Sequence, residues 1–138
     1  MSPVVLLAIS IIIIGVLVFI AISLTGHKPY EFDKEEYQSD FLKIENSLTK
    51  DNELSFNASV IEADKLLDKA LMEMGLPGRT MGERMKSASN KFSSNNSIWY
   101  AHKIRNQIAH ERNFKVDYNK AKHALAAYRQ ALKDLGAI

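Results

Sequence analysis

The segment Ile98-Trp99-Tyr100-Ala101-His102-Lys103-Ile104-Arg105-Asn106-Gln107-Ile108-Ala109-His110-Glu111 gathers the side chains of this chain best suited to chemistry. At about 100° per residue on a helix, Ala101, Ile104 and Ile108 form an apolar face, with Arg105 at its margin. His102, Asn106 and His110 follow at four-residue steps along the adjoining polar strip. An arginine beside a core stripe must find a carboxylate, a carbonyl or a phosphate. Glu62, Asp64 and Asp68, on an earlier acidic segment, are the carboxylates on offer. An imidazole, with a reference pKa near ~6.5, can take up or return a proton at neutral pH. A guanidinium can hold a phosphate in two-point geometry.

Other chemistries find less support. His102 and His110 stand about 12 Å apart along a helix, too far to share one metal ion. The chain has no Cys and no His-Glu-x-x-His, so neither a metal site nor a cofactor is expected. Gly75, Gly78 and Gly82 lack the Gly-Lys-Ser/Thr ending of a phosphate loop and read as a turn and a helix start. Trp99 and Tyr100 could stack on bases, although aromatic residues in a helical protein more often serve the core. His123, beside Lys122, reads as a surface residue, and no Ser, His and Asp spacing suggests a hydrolase triad.

The elements that must hold this segment are helical. Alternating β-branched runs and Asn-Gly or Asp-Gly hairpin turns are absent from the sequence. Asp33 with Glu36 and the apolar pair Phe32 and Tyr37 mark a helix start, and Tyr37, Phe41, Ile44 and Leu48 continue it to about Lys50. A longer helix is expected from about Asn52 to Met74, with Phe56, Val60, Ala63, Leu67, Ala70, Leu71 and Met74 on its buried stripe. Gly75, Pro77 and Gly78 stop it. Thr80 and Glu83 form a capping box for a short helix to about Ser89, and residues 93–97 read as a polar loop. A fourth helix is expected over residues 98–110. Asp117 caps the last one, whose stripe is Ala121, Leu125, Tyr128, Leu132 and Leu135, with Gly136 beyond. Short connections imply antiparallel packing.

Ahead of these elements, Met1 to Gly26 carries no charged side chain. Pro3 to Leu24 is almost wholly aliphatic, and its length of roughly 33 Å suffices to cross the hydrocarbon layer of a bilayer. A cleaved signal peptide is the main rival: Ala21 and Ser23 have the small-x-small spacing. Yet no Lys or Arg precedes the apolar run, and the run is longer than such peptides carry. Lys28 and Lys34 follow the span with nothing basic before it, which places the remainder of the chain in the cytoplasm.

Charge is lopsided beneath an overall +2. Residues 27–76 hold six Lys/Arg against twelve Asp/Glu, and residues 77–138 hold twelve against four. Either the two halves pack together and neutralise each other, or the second presents a basic face to a phosphate-rich partner.

Arg105-Asn106-x-x-x-His110 resembles the Arg-x(4–6)-His motif of the HEPN superfamily, the higher eukaryote and prokaryote nucleotide-binding domains. A polar residue directly after the Arg and a place late in a small helical bundle are part of that likeness, which covers about residues 50–138. The resemblance implies metal-independent RNA cleavage by a homodimer, with motif residues of two subunits lining one cleft. In that scheme His110 is the general acid/base, Arg105 the phosphate clamp, Asn106 an auxiliary that holds the phosphate or orients His110, and His102 a further auxiliary. In an unbroken helix Arg105 and His110 lie about 140° apart, so they converge only through fraying near Ala109 or across a dimer interface. Several superfamily members bind or scaffold without cutting; the rival is therefore a membrane-tethered, non-catalytic dimeric adaptor.

The expected architecture is all-α: a single N-terminal transmembrane helix in residues 1–26, a juxtamembrane segment and first helix in residues 27–50, and a HEPN-like domain in residues 51–138, making a bundle of four or five helices.

Overall fold

The computed structural model describes residues 1–24 and 30–138. Among them lie six α-helices and no strand: α1 Pro3–Leu24, α2 Lys34–Ser47, α3 Glu53–Glu73, α4 Met81–Ser87, α5 Asn95–His110 and α6 Tyr118–Leu135. The expected all-helical class therefore holds, with five helices following the apolar one. Gly26, His27 and Lys28 lie outside the described residues, so of the two lysines that follow the apolar run only Lys34 is described.

Helix α1 has no buried residue, and its Val, Leu, Ile and Phe side chains stand exposed. It is long and apolar enough to cross a membrane. An exposed helix that is apolar on every side has no stripe to turn inward and suits lipid better than water.

Local chemistry sets the ends of the other helices. Asp33 caps α2 by accepting the Glu36 N–H at 3.1 Å, and the Phe32 and Tyr37 rings meet edge to face at 5.3 Å, as a hydrophobic staple requires. The Glu36 carboxylate does not fold back to close a capping box; it accepts from Lys69 Nζ of α3 at 2.8 Å. Helix α2 ends at Ser47, a little before the expected Lys50, where Leu48 turns extended. Asn52 caps α3, and Gly75 beyond it takes φ +70°, the left-handed turn that Gly accepts without strain. At α4, Thr80 and Glu83 form the expected capping box. Helix α5 begins at Asn95, three residues before the expected start, because Ser94 is its cap: the Ser94 hydroxyl accepts the Ser97 N–H at 3.3 Å. Asp117 caps α6, and Gly136 at φ +79° closes it.

Helix α3 is the centre of the bundle, packing against α2, α4, α5 and α6. Tyr37 and Phe41 of α2, Val60, Leu67 and Leu71 of α3, Met85 of α4, Ile98 of α5, and Tyr128 and Leu132 of α6 are all buried in one core. The two oppositely charged halves meet through three arginines of the second half: Arg84 with Asp68, Arg105 with Asp64, and Arg129 with Glu45. Three of the opposed charges are thereby paired where the halves meet.

Candidate functional site

Asp64 of α3 is buried, with 4% of its surface exposed, and is the hub of the site. Along α3 it follows Val60 and precedes Leu67 and Leu71, so the helical repeat points it inward like its aliphatic neighbours. A carboxylate placed there must be matched by donors. Two donors and one further cation come from two other helices. Asp64 Oδ1 accepts from His102 Nδ1 of α5 at 2.9 Å and from the Tyr128 hydroxyl of α6 at 2.8 Å. Asp64 Oδ2 lies 3.2 Å from Arg105 Nε of α5. Arg105 Nε is enclosed and makes no hydrogen bond of good geometry, so this contact is Coulombic rather than directional. Burial, together with the Asp64 charge and hydrogen bond, pushes the Tyr128 phenol well above its usual range; it stays a neutral donor.

Arg105 takes the carboxylate expected of an arginine beside a core stripe, and Asp64 is the one it takes. Asp68 is engaged elsewhere, receiving Arg84 Nε and Nη2 at 2.8 Å each in a two-point pair. Glu62 pairs with Lys65 on the surface. The Arg105 side chain is one-third exposed, with Nη1 donating to Asn106 Oδ1 at 3.2 Å.

His110 sits exposed on the last turn of α5. That helix is unbroken through His110, with Glu111 as its C-cap. The fraying near Ala109 that would swing Arg105 and His110 together in one chain does not occur. A shallow groove of about 330 Å³ runs along α5, lined by Trp99, His102, Lys103, Asn106, Gln107 and His110, with Glu111 at its end. Asn106 and His110 line the groove as their spacing predicts; His102 reaches its wall too but is buried, 9% exposed and turned to Asp64 instead of lying on a polar strip, and Arg105 is not part of the wall. A roomier cleft of about 510 Å³ opens between α5 and α6, but none of the four candidate residues lines it. Trp99 is half-buried with its ring edge-on to His102 at 5.9 Å, whereas Tyr100 stands exposed beside the ring of His123.

Two members of the hub carry signals in the sequence. Tyr128 lies on the buried stripe of α6, and a buried tyrosine hydroxyl demands a partner. Asp64 interrupts an aliphatic stripe, the position at which a carboxylate must attract cations and N–H groups. Which donors would converge on it depends on how three helices pack.

No family model matches this chain, and neither a curated protein nor a solved structure matches it.

Proposed function

We propose that the protein is a membrane-anchored, HEPN-like helical domain that binds RNA along α5 and cuts it as a homodimer. The observation that carries this reading is the setting of Arg105. Its Nε edge is held by the buried Asp64, Nη1 leans on Asn106, and Nη2 makes no hydrogen bond among the described residues. The Coulombic contact with Asp64 and the Nη1 hydrogen bond to Asn106 keep the guanidinium in this place and leave Nη2 for a phosphate oxygen, which suits electrostatic stabilisation of a developing charge. His110, exposed on the neighbouring strip, can transfer a proton. Because α5 is unbroken, the two side chains diverge within a chain, and one phosphodiester takes Arg105 from one copy and His110 from another. Lys34 and Lys28 beyond the span turn the helical domain toward the cytoplasm.

The test uses the full chain in detergent micelles with a single-stranded RNA. The expected results are salt-sensitive binding, cleavage lost in Arg105→Ala and in His110→Ala, and partial recovery when the two variants are mixed, since one intact composite site then forms. Equal residual cleavage in both variants would trace the activity to a contaminating nuclease. Sidedness is read by placing a single Cys at Ile138 and labelling intact cells with an impermeant maleimide; labelling would put the domain outside.

A second reading, the non-catalytic dimeric adaptor, draws on the same ion pair. Arg105 has a carboxylate of its own and shares no groove wall with His110. Absence of RNA binding at low ionic strength decides for the adaptor.

A further inference from the structure

The His102 imidazole has two very different sides. Nδ1 faces Asp64 Oδ1 at 2.9 Å, deep in the bundle. The other nitrogen, Nε2, makes no hydrogen bond among the described residues, yet it is not among the enclosed unpaired atoms, and His102 lines the α5 groove. In a neutral ring only one nitrogen carries hydrogen. A lone pair at Nδ1 would face a carboxylate oxygen, so the proton belongs there and the lone pair falls to Nε2. Tyr128 on Oδ1 and the edge of the Trp99 ring hold the arrangement in place. The result is a fixed proton acceptor opening on the groove that also contains Asn106 and His110.

We infer that His102 Nε2 is the base that takes the 2′-hydroxyl proton of a ribose lying in this groove, with Asp64 as its positioning residue; the inference rests on the RNA reading above. The proton passes from the 2′-oxygen to Nε2, and the 2′-oxygen forms a bond to phosphorus. The bond from phosphorus to the 5′-oxygen breaks, and that oxygen takes a proton from the protonated His110 of the second copy, since His102 and His110 of one chain stand about 12 Å apart along α5. The products are a 2′,3′-cyclic phosphate and a 5′-hydroxyl end. Exchange with water then resets both imidazoles. This division of labour gives the composite site one imidazole to accept and one, from the other copy, to donate, instead of a single His110 for both.

The experiment compares the full chain with His102→Asn in detergent micelles, measuring RNA binding, cleavage and the end groups formed. An Asn amide can donate to Asp64 in place of Nδ1 but offers no basic nitrogen at the position of Nε2. Expected is cleavage at saturating RNA slowed by about 10²–10⁴-fold, the usual worth of a positioned general base, with binding measured alongside to separate lost affinity from lost turnover. Cleavage within about threefold of the parent would overturn the role of His102 and leave RNA cleavage standing. Binding without cleavage by the parent chain would overturn it too and leave an RNA-binding protein. No binding by the parent at low salt removes the RNA reading itself, and this inference with it. Should His102→Asn fail to fold, diethyl pyrocarbonate labelling of the parent decides. Carbethoxylation of His102 that RNA suppresses supports the role, and an unlabelled His102 overturns it.

Discussion

Asp64 and His102, 38 residues apart in sequence, are joined by a 2.9 Å contact between Oδ1 and Nδ1. That contact ties the central helix to the one helix whose polar residues suggest chemistry, and Asp64 holds Tyr128 and Arg105 as well. A single buried carboxylate thus orders side chains from α5 and α6.

Loss of the carboxylate should be the most damaging change in the domain. Asp64→Ala leaves the Arg105 charge uncompensated and the His102 and Tyr128 donors without their acceptor. Because Arg105 is one-third exposed, the cost should fall below that of breaking a fully buried pair, at about 2–3 kcal/mol. Tyr128→Phe removes one donor only and should cost about 1 kcal/mol. Urea unfolding followed by far-ultraviolet circular dichroism ranks the two; equal costs would show that Asp64 is not the hub.

Asp134 predicts an acid-sensitive link between α6 and the loop before α5. Partial burial pushes its carboxyl up, but the Ser93 N–H at 2.7 Å, the Gln130 amide and the Ser93 hydroxyl outweigh this and hold it below its usual value. A lowered value in the folded state means that the unfolded chain binds the proton more readily, so stability rises with pH through this window. The contribution is full above the ordinary carboxylate value of about 3.9 and fades as pH falls through the lower folded value. Asp134→Asn should therefore be less stable than the parent at pH 7, with the gap closing at low pH. An unchanged gap in urea midpoints between pH 7 and pH 3 would contradict it.

Gly78 should resist substitution more than Gly75. Its φ is +149°, and a Cβ there would stand 2.7 Å from the Arg84 backbone nitrogen, whereas a Cβ at Gly75 would meet nothing within 4 Å. Both positions carry the strain of a positive φ, and only Gly78→Ala adds a clash with backbone. The melting temperature should fall further for Gly78→Ala than for Gly75→Ala.

The apolar helix predicts behaviour toward lipid. Ile13→Lys puts a charge near the middle of α1 and should cost about 2.5–3.5 kcal/mol of insertion. The parent chain is expected to stay with membranes after carbonate extraction, and the variant to shift measurably into the supernatant.

Much of this architecture was legible before folding because it is governed by neighbours in sequence. Asp33, Thr80 and Asp117 cap the helices they precede, and Gly75 and Gly136 close the ones they follow. Each of these is a contact within one or two helical turns. The four-residue spacing likewise put Asn106 and His110 on one strip of α5, which lines the groove. The start of α5 was less plain, because several serines compete to cap it and only the packed chain selects Ser94.

What sequence determined by itself, then, is the long apolar helix, the succession of helices and the buried stripe of each, since these follow from local periodicity and backbone chemistry. Tertiary packing decided the rest. It chose Asp64 over Glu62 and Asp68 as the partner of Arg105, turned His102 inward and added Tyr128 to the cluster. It also kept α5 intact so that Arg105 and His110 diverge. A buried carboxylate accepts whichever donors the meeting of three helices brings within about 3 Å, and no spacing along one helix contains that information.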